Sequence, residues 1–293
     1  MKERTLKNLV LVGMVGASAL VAACGNSSGG KVEPPVESSN VATTAVPDTA
    51  TVVPPPAPQP VVVDAETAKA ARKDGIQSFD ARDYSGAVDK LKTAVSGKPE
   101  DSYAHYLLGL AQWKSGDLAG AEISLTESVK LDGSRVKGWI NLARVRNDRD
   151  DRNGAVEAAD KALELDASSV DAMHQKGRAL MELQRGDEAL AILTEAAGRD
   201  TTNGYVANTL GLLLIQLGRP ADAIAPLEVA KSVLPQVAYV RNNLGVAYER
   251  TGRLDDARAE YLAAVEAGDP DGKAKSSLAR LGETGTTVTA LSE

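Results

Sequence analysis

The sequence predicts an all-α protein, a solenoid of six helical hairpins of 34 residues each with a C-terminal capping helix. Three observations carry the prediction. The first is phase: units starting at Ala68, Ser102, Val136, Val170, Gly204 and Ala238 align without a gap. The second is a set of small residues in fixed register. The eighth position is Gly75, Gly109, Ala143, Gly177, Gly211 and Gly245, and the twentieth is alanine from Ala87 to Ala257. The twenty-seventh is Ala94, Ser128, Ala162, Ala196, Ala230 and Ala264. The third is punctuation: Pro99, Gly133 and Pro235 close units.

Taken in order, residues 1–23 read as a signal segment. Lys2, Arg4 and Lys7 precede an apolar run from Leu9 to Val21 that is short for a membrane span. Residues 24–63 follow as a tether. It opens with Cys24 and GNSSGG, then carries Pro34, Pro35, Pro47, Pro54, Pro55, Pro56, Pro58 and Pro60. Such a composition cannot bury a core and is expected to be disordered. Removing residues 1–23 leaves a body with a net charge of about −9, which disfavours nucleic acid as a partner.

Residues 64–282 form the expected solenoid, in units 68–101, 102–135, 136–169, 170–203, 204–237 and 238–271. Two antiparallel helices per unit must nest, and small residues at the crossings let backbones approach. A large partner stands at position 24: Leu91, Leu125, Leu193, Leu227 and Tyr261, with an undersized Ala159 in the third unit. Ser85, Asn153, Asp187 and Asp255 are the expected caps of second helices. Pro226 removes a hydrogen bond within its helix, and a bend is expected there. Residues 273–281 form an amphipathic cap, with Ala274, Leu278 and Leu281 covering the sixth unit. Residues 283–293 are expected to be a mobile tail.

The repeat pattern resembles the tetratricopeptide repeat family. That resemblance implies a right-handed superhelix with first helices lining the inner wall, and positions 2, 5, 9 and 12 facing the groove. Carried onto this chain, the groove residues are Phe79, Tyr103, Tyr106, Trp113, Arg144, His174, Arg178, Tyr205, Asn208, Ile215, Tyr239 and Asn242. Asn141 and Asn243, at position 6, match asparagines that some relatives use to hold a peptide backbone. Position 9 has no asparagine, which departs from the relatives that clamp chaperone C-termini. At the N-terminus, Val21-Ala22-Ala23-Cys24 resembles a bacterial lipobox, which implies lipidation of Cys24 and membrane anchoring. The arrangement of lipidated cysteine, tether and six repeats is also similar to type IV pilus pilotins.

No HExxH, GxSxG, P-loop or dinucleotide-binding glycine motif is present. The acidic turn from Asn147 to Gly154 would put Arg149 at the first position of a calcium loop, where it cannot ligate. No catalytic residue, metal or cofactor is expected. The expected protein is a non-enzymatic, monomeric envelope scaffold that binds another envelope protein or peptide segment in its groove. Narrower roles are secretin assembly for type IV pili, or docking of peptidoglycan hydrolases or outer-membrane assembly factors. A solenoid-based enzyme or ligand receptor is the rival class. The expected location is the outer membrane facing the periplasm in a two-membrane cell, or the outer face of the cytoplasmic membrane otherwise.

Overall fold

The computed structural model describes residues 63–290, with side chains described as far as Gly282. These residues belong to the compact unit Pro58–Glu293. The signal segment 1–23, Cys24 and the tether up to residue 62 lie outside the described residues. Thirteen helices, and no strand, are found among the described residues. In chain order they are α1 (Ala65–Asp80), α2 (Tyr84–Gly97), α3 (Ser102–Ser115), α4 (Leu118–Leu131), α5 (Val136–Asp148), α6 (Arg152–Leu165) and α7 (Val170–Glu182). Then follow α8 (Gly186–Arg199), α9 (Gly204–Gln216), α10 (Pro220–Val233), α11 (Ala238–Arg250), α12 (Leu254–Glu266) and α13 (Lys273–Ala290). The first twelve make six antiparallel hairpins in the expected phase.

Position 8 meets position 24 inside each hairpin. A Cβ on Gly75 would stand 2.7 Å from Leu91 Cγ, and one on Gly245 would stand 2.6 Å from Tyr261 Cε1. Neither space exists, so glycine is required by the large residue opposite. The third unit solves the same contact with two medium residues. Ala143 and Ala159 are both fully buried, so the undersized Ala159 is what admits a Cβ at position 143.

Turns within hairpins also keep register. Position 15 is left-handed in every unit, as Arg82, Gly116, Asp150, Gln184, Gly218 and Gly252. The second helices begin earlier than expected. Asp83, Asp117 and Asp151 cap them by accepting from Gly86, Gly120 and Gly154 N–H. In the last three hairpins the same place is Arg185, Arg219 and Arg253, each paired with an acid three residues on. Ser85, Asn153, Asp187 and Asp255 therefore sit in the first helical turn rather than at the cap. α10 runs unbroken through Pro226.

The helix α13 buries Ala274 and Leu281 against the sixth hairpin, with Leu278 packed alongside. It continues past residue 281 to Ala290, into the segment expected to be a tail. Gly282 costs a helix only about 1 kcal/mol and does not end it.

Candidate binding groove

First helices touch the next first helix along the whole stack: α1 with α3, then α5, α7, α9, α11 and α13 in turn. The backbones of second helices stay farther apart and reach one another only through long side chains, as in the Lys231–Glu260 ion pair at 3.1 Å between α10 and α12. The first helices therefore converge, and they form the inner wall. Position 2 is solvent-exposed in every unit, as Lys69, Tyr103, Lys137, Asp171, Tyr205 and Tyr239. The three tyrosines are 39%, 55% and 47% exposed, a high value for aromatic side chains.

At the N-terminal end the groove is aromatic. Ile76, Phe79, Tyr103, Tyr106 and Leu110 line a cleft of about 530 Å³ with Arg135 and Lys137. The Tyr103 and Tyr106 rings stack with centroids 6.1 Å apart, and the Arg135 guanidinium lies over both. Tyr106 is half-buried, and burial together with Tyr103 raises its hydroxyl pKa. Phe79 and Tyr106 also pack on the core, so they serve both the fold and the groove surface.

The middle of the groove is polar. Trp113 donates from Nε1 to Asp148 at 2.9 Å, and Arg144 lies over its ring. Asp148 also receives Arg178 at 3.3 Å. These side chains, with His174 and Tyr205, border a cleft of about 410 Å³. The His174 Nε2 atom lies 2.9 Å from Thr209 Oγ1, whose hydroxyl donates to the Tyr205 carbonyl at 2.9 Å. Burial, with Arg178 and Arg144 nearby, lowers the His174 pKa to about 4. His174 is thus neutral at neutral pH and donates from Nε2 to Thr209.

Asn141 and Asn243 are not free to clamp a ligand backbone. Asn141 donates to Tyr106 Oη at 3.1 Å and to the Lys137 carbonyl, and accepts from Arg144. Asn243 donates to Asn208 Oδ1 at 3.0 Å. Both tie one unit to the previous one. Asn208 and Asn242 are buried at 8% and 9% exposure. Ile215 is a correction: at 4% exposure it belongs to the core cluster, not the groove surface. Position 12 turns inward under the next unit there, and position 13 takes the exposed place. Asp80, Lys114, Asp148, Glu182, Gln216 and Arg250 are all exposed. Neither Asp148 nor Arg135 was among the expected groove residues, although an i+4 step from position 9 would have found Asp148.

The calcium-like turn uses its acids internally. Asp151 caps α6, and Asp150 pairs with Arg152. Among the described residues no group of three or more His, Cys, Asp or Glu side chains converges as a metal site. None of the described helices is long and apolar enough to cross a membrane.

Comparison with known proteins agrees with this geometry. The family model for the tetratricopeptide repeat matches residues 78–135, 140–204 and 208–272. Tetratricopeptide repeat protein 37 of Xenopus laevis is 31% identical over 127 residues, which is 41% of this chain and only 8% of that protein's length. The solved structure of PilW, described as a widely conserved type IV pilus biogenesis factor, superposes with a TM-score of 0.63 at 15% identity. It covers 73% of this chain and 99% of that one. PilF of Pseudomonas aeruginosa superposes with a TM-score of 0.55 at 24% identity, over 66% of this chain and 90% of that one.

Proposed function

The chain belongs to the tetratricopeptide repeat family, and on that premise we propose that it is a lipid-anchored envelope scaffold whose groove holds a segment of another envelope protein. The observation that carries the groove reading is the repeated exposure of Tyr103, Tyr205 and Tyr239 at one register position of the inner wall. Exposed tyrosines bury large areas at small entropic cost and are good anchors for a peptide or helix. The Phe79–Leu110 cleft supplies an apolar end, and Arg144, Asp148 and Arg178 supply a polar middle.

Anchoring rests on the sequence Val21-Ala22-Ala23-Cys24 after a basic and apolar segment. Two or more acyl chains would hold the protein firmly, since each buried methylene contributes about 0.8 kcal/mol. A Cys24→Ser variant should move to the soluble fraction on cell fractionation. Persistent sedimentation with membranes would overturn the anchor. For the groove, cross-linking in the native cell with Tyr103→Ala, Tyr205→Ala and Tyr239→Ala combined should lose the wild-type partners. An unchanged partner set, with circular dichroism intact, would refute the groove.

A narrower reading assigns the scaffold to type IV pilus secretin assembly. Its support is the lipobox, tether and six-repeat layout, together with a fold shared with PilF and PilW. Loss of surface pili in a deletion strain, restored by the wild-type gene, is the expected result; normal piliation would remove this reading. Docking of peptidoglycan hydrolases or outer-membrane assembly factors is the other use of the same groove, and the cross-linked partner decides between them.

A further inference from the structure

The first five hairpins each lay a stripe of the second helix against the next unit. The stripe runs through positions 21, 25 and 28, and its contacts cross the junction. Glu122 at position 21 pairs with Arg146 and Arg149 of the following unit. Asp160 at position 25 pairs with Lys176, and Glu228 at the same position accepts from the Tyr248 hydroxyl. Lys231 at position 28 reaches Glu260 on the next second helix at 3.1 Å. Position 21, as Val88, Glu122, Val156, Leu190 and Ile224, is half-buried in all of these hairpins. Position 28, as Val95, Val129, Leu163, Ala197 and Lys231, is buried or half-buried in all of them.

The sixth hairpin departs from this. Its stripe is Arg258, Leu262 and Val265, and all three are exposed although α13 follows. Leu262 is 50% exposed and Val265 is 38% exposed. α13 therefore covers what a first helix covers and leaves bare what a second helix would cover. Aliphatic side chains left in water at the end of a stack are the reverse of the polar outer face that a closing cap needs. The free edge of α13 agrees. Ala279 at position 8 is exposed, and Lys275 at position 4 is exposed with no ion pair among the described residues. In the sixth hairpin the residue at position 4, Arg241, pairs with Glu260 at position 23 of its own second helix, at 3.1 Å.

We propose that the α12–α13 end of the stack docks one amphipathic helix of another protein, which lies antiparallel to α13 as the second helix of a seventh unit. The repeat defines what fits. Opposite Ala279 stands an alanine, as Ala159 stands opposite Ala143, because a leucine there requires glycine at position 8. One residue earlier an acid pairs with Lys275, as Glu260 pairs with Arg241. Aliphatic side chains on the flank of the helix cover Leu262 and Val265 and remove their apolar surface from water. A second copy of this chain offers no such helix. Its α1 to α12 are committed to hairpins, and α13 already fills the place where the first helix of an incoming hairpin would lie. The site is separate from the groove and independent of what the groove holds.

The test uses the full-length chain and phage-displayed, alanine-based helices of about fifteen residues, randomised along one face. Binding of the selected helices is read by fluorescence anisotropy. They should share a small residue preceded by Asp or Glu. They should bind about tenfold more weakly to Leu262→Glu, Val265→Glu and Ala279→Leu, with unchanged thermal melts because all three positions are exposed. Lys275→Glu should weaken binding as well, and changing the acid of the helix to lysine should restore it. Tyr205→Ala combined with Tyr239→Ala should have no effect. Helices that bind the end-face variants as well as the wild type, or that are lost only with the groove tyrosines, would overturn the site. Failure of the wild type to retain any helix would do the same. A concentration-dependent dimer abolished by Val265→Glu would give the face to a second copy and overturn the partner helix.

Discussion

The junction between the fifth and sixth hairpins and the one between the sixth hairpin and α13 use the same register with different completeness. In the first, α9 and α11 meet through the Asn208–Asn243 bond, and Gly211 lies under Leu227 within its own hairpin. In the second, α13 presents Ala274, Ser277 and Leu281 to the stack at the positions that α9 buries with Val206, Thr209 and Leu213; in α11 the middle one, Asn243, is only half-buried. Its eighth position, Ala279, is exposed. That position exists to receive a second helix, and α13 is followed by none among the described residues. The cap is thus the first half of a seventh unit. It keeps the residues that face backward and relaxes those that would have faced its missing mate. Glycine at position 8 is therefore a property of the hairpin interior, not of stacking between units.

The largest test of that contrast swaps leucine into the two equivalent places. Gly211→Leu puts a side chain where Leu227 already stands, and should cost about 3 kcal/mol, the upper part of the usual overpacking range. Ala279→Leu adds the same atoms to an exposed face and should stay within about 0.5 kcal/mol. Urea unfolding midpoints of the two variants against wild type measure both. Comparable losses would mean that α13 is not half a unit but a helix packed on both sides.

The α7–α9 junction carries a histidine bond, where the terminal junction has the Glu249–Arg280 ion pair. His174 has a folded pKa of about 4, below the ordinary value of 6.5. Between these values the unfolded chain binds a proton that the folded chain refuses. Stability is therefore full above pH 6.5, falls as the pH drops towards 4, and levels off below. Because the ring is only partly buried, the loss is on the order of 2 kcal/mol. His174→Gln keeps a donor to Thr209 and cannot titrate. Thermal melts from pH 7 to pH 4 should show a shallower decline for the variant, and equal slopes would sink the assignment.

What could be read from the sequence follows from what each residue type has to do. The period was legible because positions 8, 20 and 27 obey one steric rule in every unit. Ala143 breaks the glycine pattern only because Ala159 makes room, a compensation visible once both positions are paired. The second helices start two residues before the cap-like Ser85, Asn153, Asp187 and Asp255, because Ser, Asn and Asp suit the first helical turn as well as a cap. The left-handed residue at position 15 was hidden by Arg82, Asp150 and Gln184, none of which advertises that conformation. In the groove, the tyrosines at position 2 were legible because a helix spacing fixes which face they occupy. The asparagines were not. Asn141 and Asn243 look the same in sequence whether they await a ligand or bond a residue 35 positions earlier.

The smallest effect separates two buried asparagines at the same position 5. Asn208→Leu removes an acceptor and leaves the Asn243 amide unpaired, so it should destabilise the fold by about 1–2 kcal/mol. Asn242→Leu removes an amide that has no partner in the fold, and adds apolar contact with the neighbouring wall. It should be neutral or stabilise by up to about 1 kcal/mol. Opposite signs in thermal melts of the unliganded protein are the expected outcome. Equal destabilisation of the two variants would place Asn242 among the ordinary structural bonds of the stack.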